Sequence, residues 1–166
     1  NINKEVPPKD VVKELLKNKM CGIAHGKAEF GPRSLGNRSL IADPRINSIK
    51  DKVNEIKYRD KFRPFAPAIL EEYAHEYFEG PMNEYMQFVA TAKHDYSSVT
   101  HVDGTARVQV VKEDCQSIIR PILEEWYNKT GCPMLLNTSL NIKGQPMVND
   151  ENDVTKFMER SGIHVF

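Results

Sequence analysis

The sequence has few cysteines, and the patterns that it lacks exclude several classes of protein. Cys21, Cys115 and Cys132 are far apart and none belongs to a Cys-x-x-Cys pair, which argues against a disulfide framework and a thiolate zinc site. The histidines show no His-Glu-x-x-His spacing, so we expect no protein-bound metal in this domain. There is no signal-peptide pattern and no apolar run of membrane-spanning length, so we expect a cytoplasmic protein without a membrane partner.

The protein also lacks a net charge, and this is relevant to whether it binds nucleic acid. The 23 Lys and Arg balance the 23 Asp and Glu, so the formal net charge is zero. A generally basic surface for nucleic acid is therefore not indicated. Locally, residues 27–63 hold ten Lys or Arg against five Asp or Glu. This segment is the place to look for an anion site.

Signatures of common catalytic classes are absent as well. Neither Ser39 nor Ser139 lies in a Gly-x-Ser-x-Gly elbow, and no histidine pairs with either by a recognised pattern. The P-loop signature is missing. A nucleophilic triad and a P-loop nucleotide site are therefore not expected.

What is present fits one soluble globular domain over residues 1–166, with 40% hydrophobic and 28% charged residues. Helical and strand patterns alternate, which predicts an α/β fold on one mixed sheet. The chain opens at Asn1 without Met, which is typical of a piece excised from a longer protein. Helices are predicted over 7–17, 46–56, 71–78, 117–129 and 151–160, and strands over 20–24, 39–42, 65–70, 85–92, 105–111 and 134–136.

The strongest chemical signal is the cationic stretch from Lys57 to Arg63. If this segment is extended, Lys57, Arg59 and Lys61 lie on one face. Neighbouring cations repel each other unless an anion lies between them, and an arginine fork beside a lysine suits a polyphosphate. The alternative is a solvated charged edge, because Lys near a sheet edge often serves only against aggregation.

A second polar cluster follows the predicted strand at 134–136. It consists of Asn137, Thr138, Ser139 and Asn141. Ligands of open α/β sheets lie beyond the carboxyl ends of strands, so these side chains could hold a phosphate oxygen, a ribose or a carbamoyl-like group. The alternative is a turn, since Asn, Ser, Gly and Pro are common turn residues.

Four motifs, in this order, resemble the C-terminal domain of the O-carbamoyltransferases, which include the nodulation and the antibiotic-carbamoylating enzymes. They are EFGPRSLGNRSLIADPR, KYRDKFRPFAPAIL, HVDGTARVQVV and PMLLNTSLNIKGQPMV. The resemblance extends from about Gly22 to the end of the chain. It implies a twisted open mixed sheet flanked by helices, of the YrdC-like type, cut from a two-domain enzyme.

The resemblance also implies a reaction and its catalytic residues. ATP with Mg²⁺ and carbamoyl phosphate would give carbamoyl-adenylate, which a separate N-terminal domain passes to a substrate hydroxyl. YrdC-like sites carry Lys-x-Arg and Ser-x-Asn, matched here by Lys57 and Arg59 and by Ser139 and Asn141. ATP, carbamoyl phosphate and the N-terminal domain are therefore the expected partners.

Further arginines are assigned to substrate binding with less direct support. Arg33 and Arg38 lie in a loop with glycines and a proline, and we assign them to carbamoyl phosphate or to the γ-phosphate of ATP. This loop could instead be a structural turn with two surface arginines. Arg63 and Arg107 are weaker candidates for the same role.

Two other functions remain open at this stage. A threonylcarbamoyl-adenylate synthase acting in tRNA modification would share the fold and the adenylate chemistry, although the long Phe-Gly-Pro-Arg-Ser and Arg-Pro-Phe-Ala-Pro motifs favour the carbamoyltransferases. A non-catalytic nucleotide-binding module that regulates a partner domain is the second alternative. Consumption of ATP distinguishes an enzyme from such a module.

Overall fold

The computed structural model describes residues 2–29, 31, 33–60, 63–142 and 144–166. Within these residues the chain forms five α-helices and eight β-strands, with a 3₁₀ turn at Glu71–Tyr73. The helices are α1 Pro8–Asn18, α2 Ile49–Ile56, α3 Ala74–Tyr77, α4 Ile119–Thr130 and α5 Glu151–Ser161. The strands are β1 Met20–Ala24, β2 Arg38–Ala42, β3 Ala66–Leu70, β4 Phe78–Glu79, β5 Ala90–Ala92, β6 Thr105–Ala106, β7 Gln109–Val111 and β8 Met134–Ser139.

The main sheet has five strands in the order β1-β2-β8-β3-β7. Every neighbouring pair is antiparallel except β3 and β7, which are parallel. The sheet is therefore mixed, as predicted. Strand β8 lies at its centre, where Asn137 is paired with Ile41 of β2 on one side and Ala66 of β3 on the other. A second, antiparallel sheet has the order β4-β5-β6.

Helices α1 and α4 pack against each other and the main sheet, and their apolar spacing explains why. In α1, Val11, Val12 and Leu15 recur at helical intervals and are buried, while Leu16 stays 41% exposed. In α4 the fully buried side chains include Trp126. Each such apolar side chain contributes roughly 1.5–3 kcal/mol by burial. Helices α1 and α4 thus stabilise the main sheet by packing against it, and the carboxyl end of β8 stays available for a site.

The structure corrects the prediction for the cationic stretch. Lys57 is not extended, because it ends α2 with helical dihedral angles. Tyr58 then turns the chain with a φ of 51°. The Arg59 amide donates to the Asn54 carbonyl, which wraps the chain back against the helix. Lys57 and Arg59 therefore do not alternate along a strand, and Lys61 lies outside the described residues.

The strand predicted over 85–92 is also shorter in the structure, where β5 begins at Ala90. The Asn83 side chain accepts hydrogen bonds from the amides of Tyr85 and Gln87 and holds this segment in a turn. The strand predicted over 105–111 divides into β6 and β7, which belong to different sheets. This division carries the chain from the small sheet to the main one.

We predict that Gly36→Ala destabilises the fold far more than Gly31→Ala. Both glycines have positive φ, 130° and 119°, so both substitutions share the backbone strain. A Cβ on Gly36 would collide with Ser117 Oγ and lie 2.9 Å from Ile119 Cβ, whereas one on Gly31 meets no atom of the described residues within 4 Å. Overpacking of this kind costs about 2 kcal/mol. Urea unfolding of the two variants measures the difference, and equal losses of stability would contradict it.

Candidate functional site

A cavity of about 850 Å³ opens at the carboxyl end of β8. Four segments meet there, namely the loop before β2, the segment after α2, the loops around the small sheet, and β8 itself. The described residues that line the cavity are Arg33, Ser34, Arg59, Asp60, Arg63, Pro64, Phe65, Ala66, Met86, His101, Arg107, Asn137, Thr138 and Ser139. Its volume suits a nucleotide-sized ligand.

Four guanidinium groups lie in this wall, against one carboxylate among the described lining residues. They belong to Arg33, Arg59, Arg63 and Arg107. Burial, and then the charge of Arg63, lower the pKa of Arg59 to about 10. A lowered arginine pKa marks a site whose positive charge is poorly compensated. The charge of the described wall therefore favours an anionic ligand.

Arg59 is held rigidly in the wall. Its Nε donates to Asn54 Oδ1 at 2.7 Å and its guanidinium lies 4.2 Å from the centre of the Phe65 ring. Asn54 is fully buried and also donates to the Arg63 carbonyl at 3.0 Å. One buried amide thus contacts both arginines. Sequence reasoning missed Asn54, because it lies one turn after Lys50, on the side of α2 predicted to face solvent.

Lys57 joins the two clusters predicted from the sequence, although they are 82 residues apart. Its ammonium donates to the Ser139 carbonyl at 2.7 Å, to Ser139 Oγ at 3.1 Å and to Asn141 Oδ1 at 2.9 Å. Ser139 Oγ lies a further 2.6 Å from Asn141 Oδ1. The structure therefore brings Lys-x-Arg and Ser-x-Asn together. Lys57 lies behind Ser139, outside the set of described lining residues.

Among the described residues, the buried Lys57 ammonium has no carboxylate as a hydrogen-bond partner. It is 5% exposed, and each acceptor that these residues provide is neutral. Burial, and then the charge of Arg59, lower the pKa of Lys57 to about 7. An anion in the adjacent cavity would favour the charged form. Lys57 therefore adds to the positive potential at the end of β8 from inside the protein.

The structure does not bring every predicted residue to the cavity. Arg38 is 3% exposed, and its guanidinium donates to the carbonyls of His25, Gly26, Asn37 and Asn149. Arg38 therefore connects several backbone segments, and it is not among the described residues that line the large cavity. The neighbouring candidate, Arg33, is exposed and lines the cavity.

Asn141 differs from the other members of its cluster in position. It contacts Lys57, but it lines a smaller cavity of about 240 Å³ beside α5, together with residues such as Lys156 and Arg160. Asn137, Thr138 and Ser139 line the large cavity.

Several lining residues had no signal in the sequence. Met86 and His101 come from loops of the small sheet, which meet the end of the main sheet at the cavity. Ser34 lies next to the predicted Arg33. Local patterns carry no information about which loops of two sheets meet.

Within the described residues, no cluster of three or more His, Cys, Asp or Glu side chains has the arrangement of a metal site. None of the described helices is long and apolar enough to cross a bilayer.

Residues 12–166 match the family described as Carbamoyltransferase C-terminus, and the chain belongs to this family. It is 44% identical over 149 residues to nodulation protein NolNO of Sinorhizobium fredii, covering 84% of this chain and 22% of that protein. It is 42% identical over 149 residues to nodulation protein NolO of Bradyrhizobium diazoefficiens, with 84% and 27% covered. The chain thus spans about a quarter of the length of these relatives. The resemblance seen in the four motifs is confirmed.

Among solved structures, full-length HypF in a phosphate- and nucleotide-bound form is similar with a TM-score of 0.63 and 16% identity. That match covers 94% of this chain and 20% of the HypF chain. HypF of T. kodakarensis gives a TM-score of 0.61 and 15% identity, over 95% and 20% of the two chains. These similarities concern the fold, and they confirm the predicted YrdC-like α/β class.

We predict that Lys57→Met changes how stability depends on pH. The folded-state pKa of about 7 lies below the ordinary value of 10.5. Between these values the unfolded chain binds more protons, so this lysine makes the wild type more stable as pH rises through the interval. Relative to the variant, the free energy of unfolding of the wild type should rise by about 1 kcal/mol per pH unit from pH 7 to 9.

Urea unfolding at three pH values tests this expectation. Lys112→Met is the control, because the hydrogen bond that Lys112 donates to the Glu84 carboxylate raises the pKa of Lys112 and keeps it protonated throughout this range. The free energy of unfolding of Lys112→Met should change with pH in the same way as that of the wild type. If the free energy of unfolding of Lys57→Met also changed with pH as that of the wild type does, the pKa of Lys57 would not be lowered by folding.

Proposed function

We propose that this domain forms carbamoyl-adenylate from carbamoyl phosphate and ATP, for transfer to a substrate hydroxyl by another domain of the full-length enzyme. The observation that carries the proposal is the cavity lined by four arginines that opens beside the Lys57–Ser139–Asn141 cluster. Membership of the carbamoyltransferase C-terminal family supports the choice of substrate. ATP enters as its complex with Mg²⁺, which is part of the substrate.

The proposed reaction has two steps. Water first cleaves carbamoyl phosphate to carbamate and inorganic phosphate. A carbamate oxygen then attacks the α-phosphorus of ATP, the bond from that phosphorus to the bridging oxygen breaks, and pyrophosphate leaves. A carbamate anion is already a nucleophile, so the second step needs no general base. The difficulty lies in bringing anions together and in the charge that builds on the leaving group.

The arginines meet this difficulty electrostatically. Arg33, Arg59, Arg63 and Arg107 lie in the cavity wall together with Ser139. Arginine forks bind phosphate oxygens with two hydrogen bonds, which fixes position as well as charge. Because Asn54 and Phe65 already hold Arg59, little reorganisation is needed when a phosphate arrives.

Lys57 and its acceptors have a supporting role in this proposal. The lysine fixes the orientation of Ser139 and Asn141 and places a positive charge one layer behind the cavity wall. In a site of low dielectric such a charge favours the build-up of negative charge on the pyrophosphate. The Thr138 hydroxyl group remains available for phosphate or carbamate oxygens, and the Ser139 hydroxyl group becomes available by exchanging its hydrogen bond to Asn141 Oδ1.

Pyrophosphate release tests the proposal directly. The domain is incubated with ATP and Mg²⁺, with or without carbamoyl phosphate, and threonine with bicarbonate serves as the control pair. We expect release that depends on carbamoyl phosphate. Release with threonine and bicarbonate instead would assign the domain to threonylcarbamoyl-adenylate synthesis. Binding of ATP with no release, also in the full-length enzyme, would identify a regulatory module.

We predict that Arg63→Ala weakens ATP binding at least tenfold, because a charge-assisted hydrogen bond to phosphate is lost. Arg160→Ala is the matched control, since Arg160 is an exposed arginine on α5 outside the large cavity. Isothermal titration calorimetry measures both affinities. Equal affinities for the two variants would contradict the assignment of the large cavity to the nucleotide.

A further inference from the structure

One oxygen atom in the wall of the large cavity has no hydrogen-bond partner within the described part of the chain. It is Oδ1 of Asn137, a residue that is 1% exposed. An unpaired buried amide oxygen is rare in folded proteins and calls for an explanation. Asn137 lies in the cavity wall beside Ser139 and Ser34, so a bound ligand can provide the missing donor.

The orientation of the Asn137 amide is fixed by its other end. Nδ2 donates to the Ser34 carbonyl at 3.0 Å and to Gln109 Oε1 at 2.7 Å. Gln109 is itself fixed, because its Nε2 donates to the Leu35 carbonyl at 2.9 Å. A flip of Asn137 would set its oxygen against two acceptor oxygens. The unpaired group is therefore the oxygen, a hydrogen-bond acceptor.

The side chain also lies on the correct face of the sheet. Residues two apart on a strand point to the same side, so Asn137 shares its face with Ser139. Its amide touches Ser34, which is another lining residue. Most polar groups of the wall are donors, namely guanidinium and hydroxyl groups, and phosphate oxygens suit them. A neutral acceptor among these donors calls for a hydrogen-bond donor on the ligand, and the NH₂ group is the neutral donor that carbamoyl phosphate offers.

We propose that Asn137 Oδ1 accepts a hydrogen bond from the NH₂ group of the carbamoyl moiety and thereby selects a carbamoyl over an acyl phosphate. This inference rests on the proposed function. Acetyl phosphate has the same shape as carbamoyl phosphate, with CH₃ in place of NH₂. It would leave Oδ1 unpaired in the complex. A site that is built to bind an N–H group discriminates against a ligand that lacks it.

The test compares two stable ligands of equal shape. Phosphonoacetamide carries the amide NH₂, and acetonylphosphonate carries a methyl group in its place. Calorimetric titration of the wild-type protein, with and without α,β-methylene-ATP, gives their affinities. We expect the amide to bind about tenfold more tightly, which corresponds to about 1.4 kcal/mol. Equal affinities would overturn the inference and leave the proposed function standing, whereas binding of neither ligand would count against both.

Two variants separate the oxygen from the network around it. Asn137→Ala removes Oδ1, and Gln109→Ala removes a hydrogen bond from the same network but keeps Oδ1. The preference for the amide should disappear in the first variant and persist in the second, with melting temperatures as a check of folding. If Asn137→Ala does not fold, the wild-type preference still decides.

Adenine also carries an NH₂ group, and a separate comparison addresses it. ITP has a carbonyl oxygen at that position of the ring. If Asn137→Ala abolished a preference for ATP over ITP and left the preference for phosphonoacetamide intact, the oxygen would recognise adenine and the inference would be wrong.

Discussion

The site depends on positive charge that the protein holds without neutralising it. The ammonium of Lys57 is buried among neutral acceptors, and Arg59 is half-buried beside Arg63. Both pKa values are lowered, because burial and the neighbouring cation disfavour the charged forms. This arrangement lowers the stability of the fold, and the proposed anionic ligand would offset the loss.

Several buried polar contacts keep these charges in place. Asn54 connects α2 to Arg59 and to the backbone of Arg63. Elsewhere in the site, Asn137 and Gln109 donate hydrogen bonds to the carbonyls of Ser34 and Leu35, while the Glu29 carboxylate accepts from the Leu35 amide. Ser34 and Leu35, which follow Arg33, are thus attached to the main sheet.

The secondary structure was largely visible in the sequence, because apolar periodicity follows burial. Helices α1, α4 and α5 were predicted to within about two residues, and β1 in full. Where the prediction failed for the cationic stretch, the cause was local hydrogen bonds that apolar periodicity does not register. Residues 57–61 look like a strand, yet Asn54 and Glu55 hold Tyr58 and Arg59 in a turn after the helix.

The candidate site was predicted only in part, because tertiary packing decides which side chains reach the cavity. The pairing of Lys57 with Ser139 and Asn141 followed from chemistry and from resemblance, and the structure shows them in contact. Arg38 could not be distinguished from Arg33 by sequence, since both occupy one glycine-containing loop. Only the fold shows that β2 buries Arg38 among carbonyl groups while Arg33 reaches the cavity. The contribution of Asn54 likewise depends on tertiary packing.

The central claim is that the arginine-lined cavity at the end of β8 binds the triphosphate of ATP. A crystal structure of this domain with α,β-methylene-ATP and Mg²⁺ tests the claim most directly. The account predicts phosphate oxygens in hydrogen-bond contact with Arg59 and Arg63, and with Ser139 at the carboxyl end of β8. A nucleotide bound in the smaller cavity beside α5, with the arginine-lined cavity empty at a saturating concentration, would contradict it.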